Sequence, residues 1–188
     1  LNSCVVRQSA ENRVIGKLDS LKELKRRSPK MIVALAGCMV DSDVAGLRRR
    51  FPHVDLFLKP AQFTELLDIA KTQAPTAHSR LTVPRPAPTA FVTIIEGCDN
   101  FCSYCIVPYR RGREKSRPVS EIRCQVENLV ERGVREVTLL GQNVDSYGHE
   151  LPQKPDLADL LAELNTIKGL ARIRFLTSHP KDKSQQLI

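Results

Sequence analysis

FVTIIEGCDNFCSYCIVPYRRG, residues 91–112, decides how this chain is read. It opens on a run of β-branched and aromatic side chains, the composition of a strand, over residues 91–95. Glu96 and Gly97 follow, and the glycine allows a tight turn. Three cysteines then come close together, Cys98, Cys102 and Cys105, spaced Cys-x3-Cys-x2-Cys. Thiolates are soft ligands, suited to iron–sulfur clusters, zinc or copper(I) rather than to hard cations. Three of them on one short loop can hold three irons of a cubane cluster and leave the last iron open to a small chelating ligand. Two plainer readings stand beside this one: three buried cysteines, or a zinc knuckle. Structural zinc takes four protein ligands, and no histidine or fourth cysteine lies close by in sequence.

Downstream, residues 136–141 and 172–177 read as two more strands, and two amphipathic helices lie between the three. The first helix starts at Ser120 as N-cap, carries Ile122, Val126, Leu129 and Val130 on one face, and is ended by Gly133. The second starts near Asp156, carries Leu157, Leu160, Leu161 and Leu164, and stops at Gly169. Alternating strands and helices are the unit of a β/α barrel, whose parallel strands put their functional loops at the carboxyl edge. The cysteine loop, Gln142 with Asn143, and Ser178 with His179 are thus expected on one rim. Gln142 and Asn143 serve there either as cofactor contacts or as caps of the next segment. His179 is followed by Pro180, which shapes the loop, although a lone histidine is commonly structural.

Upstream, residues 31–36 read as a buried strand ending near Cys38, residues 44–51 as a short helix and 54–58 as a second strand. A helix over 62–71 puts Phe63, Leu66, Leu67 and Ala70 on one face. Pro75, Pro84, Pro86 and Pro88 then mark an extended connector. The predicted class is α/β: an N-terminal open parallel-sheet domain over 1–72, a linker over 73–89, and part of a β/α barrel over 90–188.

Hydrophobic content of 41% with 27% charged residues is that of a soluble globular chain. The longest nearly apolar stretch, residues 31–40, is about half a membrane span, so no membrane role is expected, and no secretory leader is visible. With 29 lysines and arginines against 21 acids, the formal charge of +8 suits a polyanion such as RNA. Arg110, Arg111, Arg113, Lys115 and Arg117 directly follow the cysteine loop; Arg48, Arg49 and Arg50 read as the solvated end of a helix. Clustered cysteines without a loop-rich disulfide composition point to metal in a reducing compartment, hence the cytoplasm. Cys124 falls opposite the apolar face of its helix and is expected to be a plain thiol.

The cysteine triplet with Tyr104 before its third member resembles the signature of radical S-adenosylmethionine enzymes. Residues 89–118, Asn2-Ser3-Cys4, Gly37-Cys38, residues 140–148 (LGQNVDSYG) and 175–180 (FLTSHP) resemble the methylthiotransferase branch of that family, most closely the members acting on tRNA adenosine. The resemblance covers essentially the whole chain. It implies that Cys98, Cys102 and Cys105 hold a 4Fe–4S cluster that binds and cleaves S-adenosylmethionine. It also makes Cys4 and Cys38 ligands of a second, auxiliary 4Fe–4S cluster whose third ligand lies upstream of Leu1. Tyr104 packs near the adenine of the cofactor, with Gln142, Asn143 and Ser178 as further cofactor contacts. The implied reaction places a methylthio group on carbon 2 of N6-isopentenyladenosine next to the anticodon. The implied partners are the tRNA anticodon stem-loop and an electron donor such as flavodoxin or ferredoxin, with the protein a monomer. Related branches act on threonylcarbamoyladenosine in tRNA or on a ribosomal protein. A non-catalytic cluster- or RNA-binding module is the reading from a different class. The resemblance implies a partial barrel larger than the units present here, followed by a basic RNA-binding domain, so the chain is expected to be a fragment of a longer protein or a truncated gene product.

Overall fold

Two parallel ladders organise the computed structural model, which describes residues 1–4, 7–40, 43–59 and 87–182. The expected helix over 62–71 and most of the expected linker lie outside the described residues. The chain divides into two compact units, Leu1–Arg80 with Cys102–Arg111, and Leu81–Phe101 with Gly112–Ile188.

In the first unit, β1 (Asn2–Ser3), β2 (Ala34–Gly37) and β3 (Leu56–Leu58) form a parallel sheet in the order β1-β2-β3. The strand expected over 31–36 starts later because the Val33 N–H is taken by the Asp55 carboxylate at 2.7 Å, outside the ladder. Lys25 Nζ holds both oxygens of that carboxylate at 2.9 Å. Burial pushes the Asp55 carboxyl up, but the Val33 N–H and Lys25 outweigh it and its pKa is lowered.

The long helix α1 (Gln8–Arg27) has no counterpart among the expected elements. Its signal is present: Val14, Ile15, Leu18 and Leu21 recur at helical spacing and pack with Leu35, Met39, Val40, Phe51 and Val54. Charged residues on the remaining faces obscure that stripe; Glu23 pairs with Arg26 and Arg27 at the i,i+3 and i,i+4 spacings. Helix α2 (Val44–Arg50) is capped by Asp43, whose side chain accepts from the Gly46 N–H at 2.7 Å. Arg48, Arg49 and Arg50 form its last turn, as expected; Arg48 and Arg50 lie over the rings of Phe57 and Phe51. The five-residue helix α3 (Val107–Arg111) buries Val107 and Pro108 and leaves Tyr109 exposed.

In the second unit, β4 (Thr89–Thr93), β7 (Glu136–Leu140) and β8 (Arg172–Phe175) form a parallel sheet in the order β4-β7-β8. Val137, Thr138 and Leu139 of the central strand are consecutive and all buried, which marks a strand covered on both faces. The strand expected over 91–95 is split. After Thr93 the chain leaves the parallel ladder, and β5 (Ile95–Glu96) pairs antiparallel with β6 (Lys115–Ser116). The cysteine loop therefore grows from a small hairpin base.

Helix α4 (Val119–Glu131) has Pro118 as its N-cap and no side-chain cap; Ser120, the expected cap, lies inside it. A proline here fixes the entry φ and gives up no needed N–H. Ile122 and Val126 are buried, with Leu129 and Val130 packed beside them. Gly133, at φ +101, ends the helix as expected, with its own N–H on Val130 O and the Val134 N–H on Leu129 O. Helix α5 (Leu157–Asn165) carries a reciprocal capping box between Asp156 and Asp159. It stops at Thr166 rather than Gly169, because turns through Ile167 and Leu170 replace its last expected residues. Leu157, Leu160 and Leu164 face the core around Val92, Ile94, Val137 and Leu139.

Candidate metal centre and cofactor rim

Cys4 and Cys38 follow neighbouring parallel strands. Ser3 pairs with Gly37, so the two cysteines occupy successive positions past the ladder, and the Cys38 N–H donates to Ser3 O at 3.2 Å. Ser3 Oγ donates to Ala36 O at 2.7 Å and accepts from the Met39 N–H at 3.0 Å, which pins the turn after β2. Gly37 sits at φ +94, and a Cβ there would lie 2.5 Å from both Ser3 O and Asn2 Oδ1. The Gly-Cys pair is thus a close backbone approach that only glycine permits. Cys38 is buried and Cys4 exposed.

Within the cysteine loop, Cys102 and Cys105 belong to the first unit, where the Cys105 N–H closes a turn on Cys102 O at 2.9 Å. Tyr104, between them, is 90% exposed. Cys98 belongs to the second unit. It is buried, and its N–H donates to Gly112 O at 3.2 Å. Gly97 before it has φ +73, and a Cβ would lie 2.1 Å from Arg113 O.

Loop residues next to Cys98 are held by a network the sequence did not reveal. Arg113 pairs with Asp99 at 2.7 Å, Asp99 accepts the Glu114 N–H at 3.1 Å, and Glu114 accepts the Asp99 N–H at 3.2 Å. Burial pushes the Asp99 carboxyl up, but Arg113 and the Glu114 N–H prevail and its pKa is lowered. Glu114 also accepts from Ser146 Oγ at 2.8 Å, joining this loop to the one after β7.

The loops after β7 and β8 are tied as the parallel-strand topology requires. Buried Asp145 accepts the His179 N–H at 2.8 Å and the Ser178 hydroxyl at 3.3 Å. The Val144 N–H donates to Thr177 O, and Thr177 Oγ1 to Gly141 O at 2.7 Å. Asn143 is only 2% exposed; its Nδ2 donates to Asp182 Oδ2 at 2.7 Å. It begins the 3-10 turn Val144–Ser146 without a side-chain cap bond. Gln142 beside it is half-buried. Gln142, Asn143, Ser178 and His179 thus stand at the carboxyl ends of neighbouring strands in one unit. His179 contributes its backbone N–H to this rim. Cys124 is exposed on α4, as expected, with its sulfur 3.5 Å from Asn128 Nδ2.

None of the six cysteines is in a disulfide. Among the described residues, no group of three or more His, Cys, Asp and Glu side chains is gathered tightly enough to hold a metal ion. The donor set nevertheless fits an iron–sulfur cluster. Three thiols lie within one short loop, each followed or flanked by a turn, and sulfur is the ligand such clusters take.

A sheet of parallel strands with a Cys-x3-Cys-x2-Cys loop after the first defines the class. The family model described as Radical SAM superfamily matches residues 92–187, and the chain belongs to that superfamily. Membership implies S-adenosylmethionine and an iron–sulfur cluster. Residues 1–59 match a second model, described as Uncharacterized protein family UPF0004. All 188 residues align at 55% identity with the tRNA-2-methylthio-N(6)-dimethylallyladenosine synthase of Dehalococcoides mccartyi, covering 43% of that protein. Proteins of the same name from Desulfitobacterium hafniense and Dictyoglomus thermophilum are 46% and 48% identical, with 45% and 46% of their lengths covered. The chain thus spans less than half the length of these relatives. No helix among the described residues is long and apolar enough to cross a membrane.

Proposed function

We propose that the protein to which this chain belongs inserts a methylthio group at carbon 2 of N6-isopentenyladenosine beside the tRNA anticodon, using S-adenosylmethionine and two 4Fe–4S clusters. The observation that carries this reading is the 55% identity, over all 188 residues, to a protein named for that synthase. In this reading residues 1–72 are the N-terminal methylthiotransferase domain, 73–89 the linker and 90–188 the radical S-adenosylmethionine core.

Cys98, Cys102 and Cys105, as thiolates, hold the first cluster, and Cys4 and Cys38 contribute to the second. A cluster held there would supply the one-electron chemistry that cleaves the sulfonium of S-adenosylmethionine. The chain's own residues position that cofactor. Tyr104 offers an exposed ring face to the adenine. Gln142 offers its side-chain amide, Asn143 its unpartnered amide oxygen and Ser178 a hydroxyl to its polar groups. Tight turns at Gly37 and Gly97 set where the thiols leave the backbone.

The tRNA contact is narrower than the basic run suggested. Arg113 is engaged with Asp99, and Arg117 with Glu121 and Thr93 O, so these two brace the fold. Arg111 is exposed on α3 and is the better phosphate ligand. A cytoplasmic monomer supplied with electrons by flavodoxin or ferredoxin completes the proposal. Its test is expression of the full-length gene in a bacterial strain deleted for its own enzyme, with mass spectrometry of tRNA nucleosides. The expected result is that 2-methylthio-N6-isopentenyladenosine returns. Persistence of N6-isopentenyladenosine alone, with soluble cluster-loaded protein present, refutes it.

A further inference from the structure

Asn143 is buried on the rim, and its two amide atoms differ in their surroundings. Nδ2 donates to Asp182 Oδ2 at 2.7 Å, whereas Oδ1 has no partner among the described residues. Asn100, which lies between Cys98 and Cys102, donates its own Nδ2 to the same Asp182 oxygen at 3.2 Å. An ionised carboxylate accepts hydrogen bonds and donates none. Asp182 can therefore face only the NH2 end of each amide, and it forbids the flip that an isolated asparagine is free to make. The consequence at Asn143 is directional: its carbonyl oxygen is turned away from Asp182 and kept as an acceptor.

We propose that Asp182 is a positioning residue for cofactor binding. It locks the Asn143 amide so that its buried, unpartnered oxygen is held as the acceptor for a hydrogen-bond donor of bound S-adenosylmethionine, which carries an ammonium group and ribose hydroxyls. The same carboxylate anchors Asn100, and so ties the loop carrying Cys98 to the loops after β7 and β8. This inference rests on the cofactor site proposed above. Asp182 acts through Asn143 and need not touch the cofactor.

The test is a double-mutant cycle on the full-length protein with its cluster reconstituted anaerobically. Equilibrium dialysis measures S-adenosylmethionine affinity, and iron content and melting temperature are read in parallel. Asp182→Ala is expected to weaken binding about tenfold when Asn143 is present, the scale of one charge-assisted hydrogen bond. In an Asn143→Ala background the same change is expected to cost less than about twofold, because the locked amide is gone. If D182A does not fold, D182N carries the test. It fills the same space but can turn either way, so binding weakens about threefold with Asn143 present and is unchanged in N143A. Equal losses in both backgrounds, or no loss in either, overturn the proposal, since a general structural role does not depend on Asn143. Failure of the wild-type, cluster-loaded protein to bind S-adenosylmethionine refutes the underlying cofactor site instead.

Discussion

Gly97 and Gly112 form a matched pair that isolates how the backbone sets the cysteine loop. Both lie in the same small hairpin, and both have left-handed backbones, φ +73 and φ +83. Their surroundings differ. A Cβ on Gly97 would meet Arg113 O at 2.1 Å, Arg113 C at 2.6 Å and Gly112 O at 2.6 Å, all of them backbone atoms. A Cβ on Gly112 would meet nothing within 4 Å. Placing an L-residue in the left-handed region costs roughly 1–2 kcal/mol, which both alanine variants incur. Only Gly97→Ala adds an overlap that no rotamer can relieve, worth about 1–3 kcal/mol more. The expected losses are therefore about 1–2 kcal/mol for G112A and about 2–5 kcal/mol for G97A. Urea melts of the two full-length variants, followed by circular dichroism, give the difference directly. G97A must also separate the Cys98 N–H from Gly112 O, so iron bound after reconstitution is expected to fall well below wild type in G97A and little in G112A. Equal midpoints and equal iron in the two variants would show that the close approach at Gly97 does not govern the loop.

Three further outcomes are expected. Tyr147 is fully buried, donates its hydroxyl to Arg117 O at 2.7 Å, and has its pKa pushed up to about 12 by burial, with Glu150 adding to the effect. Because the folded pKa lies above the unfolded one near 10, the stabilisation is complete below pH 10 and is lost as pH rises toward 12. At about 1.4 kcal/mol per pKa unit the loss is on the order of 2–3 kcal/mol. Chemical melts at pH 9 and at pH 12 should show this loss in wild type and a smaller one in Y147F. Replacing Cys98, Cys102 or Cys105 by alanine is expected to abolish the S-adenosylmethionine-binding cluster, whereas Cys124→Ala leaves iron and acid-labile sulfide unchanged; elemental analysis decides it. Arg111→Ala is expected to weaken binding to a tRNA anticodon stem-loop and to reduce the slope of log K against log salt by about 0.7–0.9, one phosphate contact. An unchanged slope in filter-binding titrations removes Arg111 from the interface.

Legibility in the sequence followed the range of the interactions involved. The strands and the apolar faces of α4 and α5 were readable because Ile122, Val126, Leu157, Leu160 and Leu164 repeat at helical spacing. Boundaries were less so, since long-range contacts fix them: the Asp55 carboxylate withdraws Val33 from β2, and Pro118 rather than Ser120 opens α4. Helix α1 was missed because its apolar stripe is narrow and set among charges. Cysteine spacing and the carboxyl-edge rule placed the candidate residues, but no local pattern foretold Asp99, Glu114, Asp145 and Asp182. Their partners lie about 14 to 82 positions away in the chain.

Those four carboxylates share one role. Asp99 and Glu114 brace the start of the cysteine loop, Asp145 holds the backbone at His179, and Asp182 gathers Asn100 and Asn143. Asp99 is engaged across its own loop with Arg113 and the Glu114 N–H, and the other three take donors from another loop. Acid–base catalysis needs a carboxyl able to exchange a proton at the reacting atom, and acids committed to backbone and amide donors are poorly suited to that. In the proposed site the thiols and amides are the groups offered to the cofactor, while the acids hold the loops that carry them. Such a division suits chemistry driven by a cofactor, in which the protein's contribution is placement. It follows that converting any one of the four to its amide should loosen a loop rather than remove a proton-transfer step. The pH–rate profile of each variant is therefore expected to keep the wild-type shape while cofactor affinity falls.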